Sequence, residues 1–363
     1  MRKFLRHEYV GLFIGPAPAF APHKDSKHNF VRKVTKVQSA SYGFSVNRED
    51  IKQLGHQDLM VRRINFLSPD PAPGSNIDVN IEPVPVNFGF EYLPTCGFNE
   101  WLLNLNVVPS GQPMENCFIN RHFGDKNFFL ALSNSPEKQG KTLIKEDDFI
   151  GHHVIGIGNC FLTNYSVAGS IANPVKASVD YTASNIKVDT FSGHNYIPAI
   201  DLYDGKRRDV FKYALSHHNS ADAYSQPALL PQGIEVRINE SNIGDSKLSG
   251  NNANATSFDI SLDFDRKNLY GFGSMYPHDR KLNLPVRGSL RLNLIKNDLT
   301  EGSLDQILKK DQPYDIDILC NTVCPQPRCG PAKTETLLRY RINNAFLDSE
   351  STAIGLYDVV NTN

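Results

Sequence analysis

The 363-residue chain has a single tryptophan and no surplus charge of either sign. No apolar run approaches the roughly 20 residues of a membrane helix. Lys plus Arg number 38 and Asp plus Glu 39, a formal net charge of −1 that argues against a general binder of nucleic acid or membrane surfaces. Trp101 alone is a thin basis for the exposed aromatic platforms of a carbohydrate-binding module. Catalytic signatures are scarce. "GIGNCF" has Gly156 and Gly158 but lacks the third glycine of a dinucleotide loop, and neither a complete Walker-type G-x-x-x-x-G-K-S/T loop nor a G-x-S-x-G elbow occurs. His152-His153 and His217-His218 are adjacent pairs, which a strand would point to opposite faces, so they chelate poorly. In "CNTVCPQPRC", Cys320, Cys324 and Cys329 have no fourth Cys or His near them, and Pro325, Pro327 and Pro331 suit a stiff exposed loop better than a zinc site. No catalytic residue, metal or cofactor is expected.

Phe (21) and Tyr (14) are plentiful. They stand with Val, Ile and Thr in clusters separated by Gly, Pro, Asn and Ser, the pattern of a β-rich protein. The start, "MRKFLRHEYVGLFIGPAPAFAP", imitates a signal peptide, but its apolar part is short, bordered by Glu8 and halted at Gly15-Pro16. A strand-like or extended basic arm is the plainer reading. Asn164, Asn239 and Asn254 fit glycosylation sequons, which matter only in a secreted chain.

The chain spells one pattern twice. "SASYGFSVNREDIKQLGHQDLMVRRINF" (Ser39 to Phe66) lies without gaps over "SFDISLDFDRKNLYGFGSMYPHDRKLNL" (Ser257 to Leu284). Arg48/Arg266, Gly55/Gly273, Arg62/Arg280 and Asn65/Asn283 are identical. Each copy opens with strict alternation: Tyr42, Phe44 and Val46 over Ile260, Leu262 and Phe264. A short helical turn is predicted next, with Asn47 and Asp265 as N-caps and Gly55 and Gly273 at the left-handed C′ position. A second alternating strand follows, predicted over Ile77, Val79 and Ile81 in the first copy and Leu290, Leu292 and Leu294 in the second. Later, "IGNCFLTNYSVAGSI" (157–171) lies over "INNAFLDSESTAIGL" (342–356), which sets Cys160 against Ala345 and marks it as a small buried residue. The first copy continues into "VKASVDYTASNI", with no equal continuation in the second.

"VQSASYGFSVNREDIKQLG", "RRINF" and "GNCFLTNYSVAGSIANPVKASVDYTASNI" resemble tail tube (major tail) proteins of long-tailed bacteriophages, and "EYVGLFIGPAPAF" resembles the start of some of them. The resemblance covers most of residues 8–190 and, more faintly, 256–356. It implies a mainly β chain: two tandem tube-type β-sandwich domains, each with a short flanking helix, whose inner sheets join into a closed β-barrel ring. The expected organisation is an N-terminal arm (1–30), a first tube domain (31–195) with a long insert at about 94–153, a linker (196–235) and a second tube domain (236–363). Either a segment from 190–235 or the arm would complete the second sheet.

The implied function is structural: a virion protein of the tail, assembled in the host cytoplasm, forming homotrimeric pseudo-sixfold rings that stack into the conduit for DNA ejection. Its partners would be itself, a tape-measure protein and double-stranded DNA held without sequence-specific contact. The residues expected to face the lumen are Ser41, Ser45, Asp78, Asn80 and Glu82 from the first copy and Asp259, Ser261 and Asp263 from the second. Lys and Arg are absent from the first strand of both copies, so this wall would repel phosphates. The alternative is a secreted or virion-surface β-sandwich that binds carbohydrate.

Overall fold

Strands that alternate apolar and polar residues bury one face and wet the other, and this chain turns that pattern into antiparallel sheet throughout. The computed structural model describes residues 10–16, 32–44, 49–51, 60–62, 85–95, 97–103, 105, 126–132, 153–171, 173–190, 199–200, 207–208, 228–240, 253–269, 271–272, 279–296, 313–321, 336–349, 352–353 and 361–362. In chain order the elements are β1 (Val10–Pro16), β2 (Arg32–Lys33), β3 (Val37–Phe44), β4 (Glu49–Ile51), β5 (Met60–Arg62), β6 (Val86–Tyr92), helix α1 (Phe98–Leu102), β7 (Lys126–Leu132), β8 (His153–Ser170), β9 (Asn173–Ala183) and β10 (Asn185–Thr190). There follow β11 (Ala199–Ile200), β12 (Arg207–Arg208), β13 (Ile234–Glu240), β14 (Ala253–Asp263), β15 (Arg266–Leu269), β16 (Asp279–Leu282), β17 (Arg287–Lys296), β18 (Tyr314–Asn321), β19 (Thr336–Ala345), β20 (Thr352–Ala353) and β21 (Asn361–Thr362).

One eight-stranded path runs β3-β6-β9-β8-β14-β17-β21-β20. A second layer, β2-β1-β7-β8-β10, shares β8 with it. The 18-residue β8 belongs to both: its first half pairs with β7 and β10, its second with β9 and β14. The change of sheet happens at a bulge, where Gly158 and Asn159 together oppose Asn127. Asn159 is left-handed (φ 56°), and its N–H donates to the Asn127 side-chain oxygen at 2.9 Å. Between the layers the rings of Phe88, Phe90, Phe128 and Tyr181 pack together, with Phe128 4.7 Å from Tyr181 and 4.9 Å from Phe88. A separate sheet, β13-β18-β19, sends Val236, Ile318 and Leu338 into the same apolar core.

The pairings recur along the chain residue for residue. Val10 faces Leu132 as Ile234 faces Cys320, and Leu132 faces His153 as Cys320 faces Leu338. Ser39 faces Glu91 as Ser257 faces Asn293. Val167 faces Ala177 as Thr352 faces Thr362, and Ala168 faces Lys176 as Ala353 faces Asn361. The bulge recurs too: Asn343 and Asn344 together oppose Asp315, Asn344 is left-handed (φ 55°), and its N–H donates to the Asp315 carboxylate at 3.0 Å. The described part of β20 and β21 thus occupies the places that β8 and β9 hold in the first set, and β13 supplies the strand matching β1.

Several expectations change. The helical turn after the first strand is a hairpin instead: β15 pairs with β16, and β4 with β5. Leu269 and Phe272 would form one face of the turn, yet Phe272 is fully exposed, so a helix there would have no core to offset its nucleation cost. Asp265 closes the hairpin rather than capping a helix: its carbonyl accepts the Asn283 N–H at 2.9 Å and its carboxylate the Asn283 side-chain amide at 2.7 Å. Asn47, Gly55 and Gly273 lie outside the described residues. The partner of β3 is β6, not the segment around Ile77, Val79 and Ile81, which also lies outside them. The segment 94–153 contains β7, a central strand with its own counterpart in β18, and the N-terminal arm contains β1, paired along its whole length with β7. The apolar content of both segments explains this, since Leu12, Ile14, Phe128 and Leu130 are core residues.

Candidate assembly surface: one wet face and its outer strands

The face of the eight-stranded path turned away from the core is assembled by register. Across its first half lie Ser39, Ser41 and Gly43 on β3, then Asn87, Gly89 and Glu91 on β6, then Thr182, Asp180, Ser178 and Lys176 on β9. Asn164, Ser166 and Ala168 on β8 come next, then Asp263, Ser261 and Asp259 on β14, and Arg287, Ser289 and Arg291 on β17. Most of these residues are small and uncharged. Gly89 has a steric reason: a Cβ there would come within 2.6 Å of the Asp180 carboxylate on the neighbouring strand.

Of the residues expected on this face, Ser41, Asp259 and Asp263 are exposed and Ser261 is half-buried. They share the face, although three strands lie between Ser41 on β3 and the strand β14. Ser45, Asp78, Asn80 and Glu82 lie outside the described residues. Sequence reasoning missed Asn87, Gly89 and Glu91, which the alternation in "VNFGFEY" displays. The strand β17 adds bases to this face. Asp259 stands directly opposite Arg291 and Asp263 opposite Arg287, so β17 balances the acids of β14. Glu91, Asp180, Asp259 and Asp263 against Lys176, Arg287 and Arg291 leave the described face close to neutral.

The junction between the two sets of strands is β8 with β14, in which Ser257 faces Ser170 and Asp263 faces Asn164. Phe258 lies opposite Gly169, and a Cβ on that glycine would meet the Phe258 ring at 2.6 Å. The Phe264 N–H donates to the Thr163 carbonyl at 2.8 Å and the Ile171 N–H to the Thr256 carbonyl at 3.0 Å, which extends the seam at both ends. The β15–β16 hairpin then reaches over the bulge of β8. The Arg280 guanidinium lies 3.9 Å from the centroid of the Phe161 ring, and Arg266 lies 5.5 Å from it. Arg280 also donates to the Asn159 carbonyl at 3.3 Å and to the Ser184 hydroxyl. Phe161 is consequently only 6% exposed.

Among the described residues, no such cover is seen on the outer strands of the path. Among the described pairings β3 is bonded only to β6, and Tyr42 and Phe44, which match the interior Ile260 and Leu262, are 42% and 57% exposed. Phe346, which matches Phe161, is 66% exposed.

A buried polar cluster lies under the junction. Tyr92 donates to Glu100 at 2.9 Å, and the Tyr165 and Tyr340 hydroxyls are hydrogen-bonded. Burial pushes the Glu100 carboxyl up to about 7 and raises all three tyrosines well above their usual range. Cys320 beside them is pushed up to about 12 by burial first and Glu100 second, so it stays a thiol. Cys160 is likewise buried and donates to the Ile157 carbonyl at 3.3 Å, as a small core residue would. Cys96, Cys117, Cys324 and Cys329 lie outside the described residues. Among the described residues, no group of three or more His, Cys, Asp and Glu is placed to hold a metal, and no helix is long and apolar enough to cross a membrane. No protein-family model matches the chain, and no curated protein matches it in sequence.

Proposed function

We propose that this chain is a tail tube subunit of a long-tailed bacteriophage, a structural virion protein without catalytic residues or cofactor. In this reading two tandem tube-type β-sandwich domains each lend four strands to an inner wall, and three chains close it into a pseudo-sixfold ring. The observation that carries the reading is the β8–β14 junction, where one set of four strands continues into a second set with the same pairings. A sheet that already joins two such sets side by side, and whose outer strands β3 and β20 are each bonded on one side only among the described residues, is suited to extension by further copies.

The dimensions suit a conduit for DNA. Eight strands per chain give twenty-four in a trimer. At about 4.8 Å per strand and a tilt near 45°, they trace a circumference of roughly 160 Å and a backbone diameter of about 50 Å. Inward side chains of about 5 Å leave roughly 40 Å, and B-form DNA of about 20 Å fits within it. A wall of small polar residues with alternating charges offers a phosphate backbone no basic stripe to bind, so DNA and a tape-measure protein would pass without sticking. Rings would stack into the tail tube after assembly in the host cytoplasm.

Electron microscopy of the purified protein, with the mass of single rings, tests the reading. Rings or tubes of three chains per layer with a bore near 40 Å are expected. Dispersed monomers, or rings of six chains, overturn it.

A further inference from the structure

We infer that helix α1 is a pH-operated latch: ionisation of Glu100 drives α1 to open locally, away from the tyrosine cluster that ties the two sets of strands together. The inference does not depend on the self-assembly reading above.

The fold puts one carboxyl where a charge has no compensation. Glu100 is fully buried on α1, and Tyr92 of β6 donates to its Oε1 at 2.9 Å. Its Oε2 is buried too, and among the described residues it has no hydrogen-bond partner. The titratable groups gathered round it are Tyr92 of β6, Tyr165 of β8, Cys320 of β18 and Tyr340 of β19. All four are acids whose own ionisation Glu100 opposes, and none can become a cation. A neutral carboxyl there leaves one unmade hydrogen bond. A carboxylate leaves a buried charge with no cation among those neighbours, which costs far more. Burial accordingly raises the Glu100 carboxyl to about 7, against the opposing pull of the backbone and Tyr92.

The neighbours of Glu100 are fixed more firmly than α1 is. Tyr92 and Tyr165 stand on strands paired along both sides, and the Tyr165 hydroxyl is 3.0 Å from that of Tyr340. Helix α1 has five residues, follows left-handed Gly97 (φ 78°) and has no side-chain cap. The Asn99 side chain holds it to Thr35, accepting the Thr35 N–H at 2.9 Å and hydroxyl at 3.0 Å and donating to the Thr35 carbonyl at 2.9 Å. Leu102, Leu103 and Leu105 are buried as well, so the latch is shut most of the time. When Glu100 ionises, a turn about Gly97 brings the charge to water without breaking a strand ladder. The closed chain holds the proton more tightly than the open one. Opening is therefore rarest below about pH 4.5, grows more frequent as pH rises and levels off above about 7. The span from 4.5 to about 7 allows a rise of up to about 300-fold in the opening constant.

Hydrogen–deuterium exchange of the full chain, corrected for the intrinsic pH dependence of exchange, tests the latch. The N–H groups of Trp101, Leu103 and Leu105 donate to the carbonyls of Gly97, Asn99 and Glu100 and report the opening of α1. Their protection should fall by roughly 50-fold between pH 5 and 7.5, while β8 and β14 stay far better protected throughout. Glu100→Gln should abolish the fall. Tyr92→Phe removes a donor that favours the carboxylate, so the fall should level off at a higher pH, whereas a merely structural loss would lower protection equally at every pH. Protection of α1 that is constant with pH in the native chain, or a levelling-off that Tyr92→Phe does not move, would refute the latch. So would α1 amides that exchange no faster than those of β8 and β14, because the opening would then be global unfolding.

Discussion

The hydroxyls of Tyr165 and Tyr340 lie 3.0 Å apart in full burial, and they join β8 to β19, strands from the two recurring sets. Either can donate, so replacing one tyrosine by phenylalanine removes the bond between them. Tyr165→Phe and Tyr340→Phe should each cost about 1–2 kcal/mol in urea unfolding. The double variant should cost less than the sum, because it removes both ends of one bond.

Glu100 should make stability fall as pH rises. Its folded value of about 7 lies above the ordinary 4.5, so between those values the folded chain holds a proton that the unfolded chain has released. This group's contribution is most favourable below about pH 4.5, declines through the window and levels off above about 7. Glu100→Gln keeps an acceptor for the Tyr92 hydroxyl and cannot ionise, so it should flatten the slope of unfolding midpoint against pH. A variant whose slope runs parallel to the native one would assign the pH dependence to other groups.

The two bulges should respond differently to glycine and to a β-branched residue. Asn344 is exposed and left-handed, so Asn344→Gly should change stability by less than about 0.5 kcal/mol, whereas Asn344→Val should cost more than about 1 kcal/mol. Asp315→Ala, which removes the acceptor of the Asn344 N–H, should cost less than Asn127→Ala, because Asn127 is fully buried. Thermal unfolding of the four variants checks this ordering.

Gly169 should not tolerate a side chain. A methyl group would meet the Phe258 ring at 2.6 Å and Val175 at 3.3 Å, both inside the core. Gly169→Ala should cost about 1–3 kcal/mol through displacement of that ring. Phe258→Leu in the same chain should recover part of the loss, measured as a shift in melting temperature.

Much of this was visible in the residues. Alternation marks the buried face of β14, and the alignment of 157–171 with 342–356 sets Asn159 on Asn344 and Phe161 on Phe346. What stayed hidden was hidden for physical reasons. "VGLFIGP" and "IEVRINE" hold the same place in their sheets but share only spacing, because β1 is buried on both faces from Gly11 to Gly15 while β13 has polar Glu235 and Arg237 on one. The hairpin after the first strand was mistaken for a helix because three-apart apolar residues fit both, and only the exposure of Phe272 separates them. The partner of β3 was misplaced because Ile77, Val79 and Ile81 alternate as well as Phe88, Phe90 and Tyr92 do. The aromatic rings of β6, packed against Phe128 and Tyr181, belong to the core that decides between them.

The passage of β8 from one layer to the other has a mechanical consequence. In a sandwich whose layers are joined only through loops and side-chain contact, a shearing force is resisted first by the side-chain packing between the layers. Here the polypeptide itself crosses between the layers at Asn159, locked by Asn127 on one side and gripped by Arg280 on the other. A load applied to the second half of β8 is carried by covalent bonds into the strand that β7 and β10 hold, so the two layers must yield together or not at all.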